Sequence, residues 1–218
     1  MRRLWTWAMA CGFVSVALAG QASAQEPAFG DPGHVAISAE RMFGYEHSTV
    51  TRTTAGMETS TTNNSFSLLT NPAGILSGYG WPRIGVDVFV VRALTVGGAL
   101  GFLYMAPEMG SNTRLFLVAP RIGYAATLAP GLAIWPRVGI TYWNISNDSS
   151  TSYSSSAFAL TIEAPLAIQL APRVQLLIGP AVDIGVGGST SSTVGGTTTS
   201  MDQKYTDIAA HAGLLLFL

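Results

Sequence analysis

The chain has 218 residues, of which 48% are hydrophobic and only 11% are charged, and its formal net charge is −1. The balanced charge, without a basic stretch, excludes a nucleic-acid-binding surface as the main feature of the molecule. The single cysteine, Cys11, lies in the N-terminal segment, so the rest of the chain can form no disulfide and has no thiolate nucleophile or metal ligand.

The N-terminal segment has the three parts of a secretory signal peptide. Arg2 and Arg3 form the basic region, residues 4–19 are apolar, and residues 22–24 are a small-x-small cleavage site. The apolar stretch is short for a membrane-spanning helix, which needs about 20 residues. We therefore expect residues 1–24 to be removed and residues 25–218 to form one exported domain.

From Trp81 to the C-terminus, large apolar side chains alternate with polar or small ones. Ile84 and Val86, for example, alternate with Arg83 and Asp87. A period of two indicates β-strands, since successive side chains point to opposite faces. One row is continuously apolar, and the other carries charges among glycines and alanines. This pattern is typical of a transmembrane β-barrel with a lipid-facing surface and a polar lumen.

Eight such segments follow one another along the chain. The predicted strands cover residues 34–45, 81–91, 94–104, 114–126, 132–143, 156–169, 174–186 and 204–218. The connections alternate between long and short, as do the outer loops and periplasmic turns of bacterial barrels, and an even strand number places both termini on the periplasmic side. The predicted fold class is all-β: an eight-stranded antiparallel up-and-down transmembrane barrel.

Three long connections, at residues 46–80, 144–155 and 187–203, are rich in serine, threonine, asparagine and glycine. We expect them to be polar outer loops. The first contains an apolar island at residues 66–69, which leaves a ten-stranded barrel with one more hairpin as an alternative. Several aromatic residues near the outer strand ends are expected to form an interfacial girdle. They are Tyr45, Trp81, Tyr104, Tyr142, Trp143 and Tyr205.

Prolines occur inside several predicted strands. The sequence Pro-Arg-Ile-Gly occupies residues 82–85 and 120–123, and Pro-Arg-Val-Gly occupies residues 136–139. Proline removes a hydrogen-bond donor, and a closed sheet has no edge at which this is harmless. We expect bulges or local bends there, and also at Pro165 and Pro180.

The signal peptide, the eight alternating segments, the hydrophilic outer loops and the C-terminal sequence over residues 210–218 together resemble one class of protein. This class is the small outer-membrane β-barrels of Gram-negative bacteria, the OmpA-like and opacity-protein-like superfamily. The resemblance is architectural and carries no functional motif. It implies a monomer in the cell outer membrane that contacts outer-membrane lipid and is inserted by the barrel-assembly machinery. Such barrels usually end in an aromatic residue, whereas here Phe217 is penultimate and Leu218 is last.

Charged residues on the lumen-facing row predict an ion network inside the barrel. The predicted members are Glu40, Arg83, Asp87, Arg121, Arg137, Glu163, Asp183 and His211. An eight-stranded barrel is only wide enough inside for side chains, and buried charges require partners. We therefore expect the network to fill the lumen, with Asp87 as a local partner of Arg83. A narrow pore for small solutes, lined by the same residues, is the alternative.

An enzymatic role has little support in the sequence. Some small barrels are lipid A-modifying enzymes or proteases, which need an acid/base or Ser-His-acid arrangement at one rim. The one suggestive pair is His211 with Asp207, and no cluster has the spacing of metal ligands. We predict a non-enzymatic structural or surface-interaction protein without a cofactor or metal. Its outer loops are the place where an extracellular ligand would bind.

Overall fold

The computed structural model describes residues 29–54, 56–69, 78–106, 112–148 and 151–218; the predicted signal peptide lies outside these ranges. The strands, numbered in chain order, are β1 (Val35–Thr54), β2 (Met57–Leu68), β3 (Arg83–Val91), β4 (Leu94–Met105), β5 (Asn112–Tyr124), β6 (Ala126–Ala129), β7 (Leu132–Ile134), β8 (Arg137–Asp148), β9 (Thr151–Glu163), β10 (Leu166–Ala171), β11 (Val174–Val194) and β12 (Thr197–Phe217). No helix in the described part of the chain is long and apolar enough to cross a membrane.

Eight of these strands form a closed antiparallel ring. The order around the ring is β1, β3, β4, β5, β8, β9, β11 and β12, and β12 pairs again with β1. The short strands β6, β7 and β10 continue the wall toward the end that carries both termini, through the pairs β6–β7, β7–β10 and β10–β11. The predicted fold class is therefore confirmed.

The first long connection contains strands. β1 continues to Thr54, and β2 folds back along it, with pairs from Thr54↔Met57 down to Phe43↔Leu68. Among the described strands β2 pairs only with β1 and stays outside the ring. The additional hairpin is therefore present, but its second strand does not join the barrel, so the ring has the predicted eight strands and not the alternative ten.

The other two Ser/Thr-rich segments were also predicted to be loops, and this prediction is wrong. β8 extends to Asp148, and β9 already begins at Thr151. β11 and β12 stay paired up to the turn at Gly195 and Gly196. Both glycines have positive φ, 56° and 82°, as a two-residue hairpin turn requires. Low hydrophobicity suggested loops, but threonine fits a strand well, and pairing with both neighbours satisfies the backbone.

The two faces of the wall are those that the alternation predicts. Ile84 and Val86 are 57% and 46% exposed, whereas Arg83 and Asp87 are 3% and 0% exposed. At the C-terminus Leu216 and Leu218 are exposed and Phe217 is buried. The lipid-facing register of the last strand is therefore the predicted one, and the penultimate aromatic residue points into the lumen.

Prolines interrupt the wall on neighbouring strands. The β5–β8 pairing omits Pro120, Pro136 separates β7 from β8, and Pro165 separates β9 from β10. β11 continues through Pro180, whose partner on β12 is Ala210. The expected irregularities are thus present at three of the five prolines; Pro82 lies just before the first residue of β3. Proline carbonyls still accept bonds across the wall: Tyr124 N–H to Pro136 (2.9 Å), Trp135 N–H to Pro165 (2.8 Å) and Ala164 N–H to Pro180 (3.1 Å).

Candidate functional site: the lumen and the outer sheet

A bulge in β1 brings two consecutive charged residues, Glu40 and Arg41, into the lumen. The register between β1 and β12 shifts between Ala39 and Phe43, and Arg41 has a φ of 53°. Both side chains are buried. Strict alternation would place neighbours on opposite faces, and a bulge is what allows both to point inward. Arg41 was not among the predicted network members for this reason.

Glu40 is one of two centres of the ion network. Its carboxylate accepts hydrogen bonds from Arg121 Nη1 and Nη2, both at 2.7 Å, and from Arg137 Nη1 at 2.6 Å. Arg83 Nε at 3.3 Å and the hydroxyl of Ser38 at 2.7 Å complete its surroundings. Three guanidinium groups therefore share one buried carboxylate.

Glu163 is the second centre and contacts the same cations from the opposite wall. Its nearest guanidinium nitrogens are Nη2 of Arg41 and Nη2 of Arg137, each at 2.8 Å, and Arg83 Nη2 also bonds to it. Arg121 Nη1 lies farther away, at 3.8 Å. Each glutamate is thus surrounded by guanidinium groups of the four arginines. This placing of opposite charges next to one another offsets the cost of burying them.

Asp87 pairs with Arg121 and not with Arg83, so the predicted local partner is wrong. Arg121 Nη2 lies 2.5 Å from Asp87 Oδ2, and Arg121 Nε lies 3.1 Å from Oδ1. The residue between them on the intervening strand is Gly97, which pairs with Asp87 on one side and Arg121 on the other. Because Gly97 has no side chain, the guanidinium group can pass over β4.

Asp183 and His211 occupy the lumen beside these centres. Asp183 accepts hydrogen bonds from Arg41 Nη1 at 2.7 Å and from the Thr161 hydroxyl at 2.6 Å. His211 is buried, but neither ring nitrogen has a hydrogen-bond partner among the described residues. Asp207 is also buried in this region. All eight predicted members therefore lie in the lumen, and seven of them form ion pairs.

An apolar layer seals the lumen on the periplasmic side of the network. The ring of Phe29, which precedes β1, lies 5.2 Å from Phe89, 5.6 Å from Trp135 and 5.9 Å from Phe217. The guanidinium group of Arg137 lies 4.7 Å from the centre of the Trp135 ring. This cation–π contact joins the aromatic layer to the ion network.

A second apolar layer lies on the outer side. Tyr79, Trp143 and Tyr205 pack edge to face, with ring centres 5.2 to 6.4 Å apart. Tyr79 belongs to a buried segment, residues 78–81, that leads into β3 and is not a barrel strand. Arg41 Nη1 donates a hydrogen bond to the Tyr79 carbonyl, which fixes this segment to the network.

The outer layer corrects the predicted aromatic girdle. Tyr45 and Tyr104 are exposed at the level expected, but Trp81, Trp143 and Tyr205 are buried. Trp143 and Tyr205 occupy odd positions, on the lumen-facing row. The position of a residue along the strand sets its depth in the membrane, and this alone was the basis of the predicted girdle. Whether the side chain points to lipid or to the lumen depends instead on which of the two alternating rows the residue belongs to.

The charged layer is closely packed. Two cavities among its described residues have volumes of about 30 Å³ and about 10 Å³. A single water molecule needs roughly 10–15 Å³ of such space. Within the described residues, the lumen therefore consists of three filled layers: aromatic, ionic and aromatic.

Outside the barrel, the strands on one side continue as an outer sheet. Its order is β5, β8, β9, β11, β12, β1 and β2, and it includes the Ser/Thr-rich residues 151–156, 189–193 and 197–200. β3 pairs with β1 only as far as Glu40, and β2 takes its place along the outer part of β1. The outer sheet therefore ends at β2, whose second edge is unpaired within the described part of the chain.

Solved structures with a similar fold are outer-membrane proteins. OprG from Pseudomonas aeruginosa superposes with a TM-score of 0.52 and 10% identity over 86% of this chain and 97% of its own. AlkL, solved by solid-state NMR in lipid bilayers, gives a TM-score of 0.54 and 11% identity over 92% of this chain and 97% of its own. No protein-family model and no curated protein sequence matches the chain.

At these identities the similarity concerns the fold. It confirms the predicted resemblance to small outer-membrane β-barrels and, with the exposed apolar row, the outer membrane as the location.

Proposed function

We propose that this outer-membrane β-barrel is a surface-interaction protein, in which the filled barrel anchors the outer sheet and the free edge of β2 binds an extracellular partner by strand addition. The observation that carries this proposal is the pairing of β2, a strand of 12 residues that is hydrogen-bonded on one side only among the described strands. A free edge presents a row of backbone donors and acceptors to any extended segment.

The composition of β2 supports a binding role. Proteins usually protect an exposed edge with lysine, proline or a very short strand. β2 contains neither lysine nor proline, and Glu58 is its one charged residue. Its outer part is rich in threonine, serine and asparagine, which supply hydrogen-bonding side chains beside the backbone edge. This segment belongs to one of the predicted ligand-binding regions.

The filled lumen favours an anchor over a pore. Ion pairs join six of the eight ring strands across the lumen, and aromatic rings pack on both sides of them. Such a core resists deformation, because removing one partner of a buried ion pair costs about 3–5 kcal/mol. A rigid support suits an outer sheet in which the edge of β2 must stay accessible to a partner. We propose no catalytic role.

Lysine substitution on β2 tests the proposal. Cells that express the wild-type protein should adhere to surfaces coated with fibronectin, laminin or collagen more than cells with an empty vector. Ser60→Lys with Thr62→Lys should abolish the difference, because added charge opposes strand addition at an edge. Ser154→Lys with Ser156→Lys is the matched control, since β9 is paired on both sides at these residues.

The outcomes are distinct. Loss of adhesion in the β2 variant alone supports binding at this edge. Equal adhesion of wild-type and vector cells on all three coatings, or equal loss in both variants, contradicts it. The shift in electrophoretic mobility between boiled and unboiled samples verifies that each variant is folded.

A further inference from the structure

The larger of the two cavities described in the charged layer lies between the ion network and the wall formed by β11 and β12. Its volume is about 30 Å³. Gly179 on β11 and Gly213 on β12 are among the residues that line it. Pro165 and Pro180 line the same side.

The side chains that line the cavity leave several polar atoms unpaired. Both ring nitrogens of His211, and Nε of Arg41 and of Arg137, have no hydrogen-bond partner among the described residues. All three side chains are more than nine-tenths buried. Leaving a buried polar group without a hydrogen-bond partner is unfavourable, so a small polar guest in the cavity would offset this penalty at several atoms.

The charges around the cavity decide the type of guest. Glu40 and Glu163 contribute two negative charges, and Arg41 and Arg137 contribute two positive ones. The lining is therefore neutral apart from His211, which favours a neutral guest over an ion. The guest must accept hydrogen bonds from the Nε–H groups of Arg41 and Arg137. It must also be able to donate to one ring nitrogen of His211 and to accept from the other. Water has this combination.

We infer that the cavity is an internal water site, which holds about one or two molecules bound by His211, Arg41 and Arg137. The smaller cavity, of about 10 Å³, lies against the same Arg137–Glu163 pair and is lined by Thr141 and Thr161. The ionic layer is accordingly a hydrated layer between the two aromatic ones. This assignment gives His211 a role that no ion pair in the described lumen gives it.

Water-oxygen-17 relaxation dispersion of the detergent-solubilised barrel counts long-lived internal water molecules. The wild-type protein should show a dispersion, and His211→Phe, which keeps the ring and removes both nitrogens, should lose the amplitude of about one molecule or more. His211→Gln retains a donor and an acceptor and should keep most of it. His47→Phe is the matched control, because His47 faces outward and bonds to Asn64.

Three results would overturn the inference: no dispersion in the wild type, equal amplitude in the wild type and His211→Phe, or equal loss in His47→Phe. If His211→Phe does not fold, the ring nitrogens of 15N-labelled His211 in the wild type provide the test. They should exchange magnetisation with water, and a lack of exchange contradicts the assignment. A midpoint of unfolding that rises when gluconate is replaced by chloride would identify an anion instead.

Discussion

Asp87 and Arg121 form a bidentate ion pair across a strand that lies between them. The two contacts measure 2.5 and 3.1 Å, and the strand in between contributes only Gly97 at that level. A second glycine, Gly85, borders the same guanidinium group: a Cβ there would lie 2.6 Å from Arg121 Nη2. The ion network therefore depends on glycines as well as on charges, because they create the space through which arginine side chains reach partners two strands away.

Gly97→Ala should disrupt this pair. A Cβ at residue 97 would lie 2.6 Å from Asp87 Cα and 2.7 Å from Asp87 Oδ1, closer than side-chain atoms approach one another. We expect a loss of about 2–4 kcal/mol in the free energy of unfolding, the range for overpacking combined with a disturbed buried charge pair. Urea titration of the protein refolded in lipid vesicles measures the loss. Gly187→Ala is the control, since nothing lies within 4 Å of its added methyl group; a comparable loss there would contradict the explanation.

Arg41→Met should be more damaging than the loss of an outer arginine. Arg41 bonds to Glu163, Asp183 and the Tyr79 carbonyl, and its removal leaves two buried carboxylates with fewer partners. The expected cost is about 3–5 kcal/mol. Arg114 makes a 3.3 Å ion pair with Asp148 in which the side chains are 58% and 60% exposed, so Arg114→Met should cost about 0–1 kcal/mol. Similar midpoints of urea unfolding for the two variants would contradict this ranking.

The lumen position of Arg41 was not predictable from strict alternation. By its position in the alternation, Arg41 falls on the same row as Phe43 and Tyr45, which face lipid. A charge on that row is costly, and this conflict was the available signal for a bulge. The alternation itself is local in sequence, so it was sufficient for both faces of the later strands. Partner choice, such as Asp87 with Arg121, depends on the register of three strands and was not predictable from spacing.

The outer sheet illustrates the same difference. Its strands are made of serine, threonine and asparagine, and hydrophobicity patterns carry no information about them. What holds them in strands is pairing with neighbours that continue upward from the barrel, such as Thr193 with Thr198, whose hydroxyls lie 2.8 Å apart. Tyr79 was missed for a related reason, because it lies in a connecting segment that enters the lumen.

Arginine on the lipid-facing row should block assembly or destabilise the barrel. Val88→Arg and Ile178→Arg place a charge near the middle of the membrane, where the expected cost is about 2–4 kcal/mol. Val194→Arg is the control, since Val194 is exposed at the outer end of β11, next to the Gly195–Gly196 turn. The heat-dependent shift in electrophoretic mobility should disappear or weaken for the first two variants and persist for the third. Equal behaviour of all three would contradict the membrane placement.

The filled lumen should not conduct ions. In planar bilayers the wild-type barrel should give no discrete current steps, because the ionic layer and two aromatic layers block the path in series. Trp143→Ala and Trp135→Ala each open only one aromatic layer, so both variants should also stay closed. Comparing the two variants shows whether several layers block the path or only one. If either substitution alone produced current, the aromatic layer that it opens would be the sole barrier. Wild-type current steps that change when Arg121→Gln alters the network would mean that the charges line a pore, and the anchor role proposed for the barrel would then be untenable.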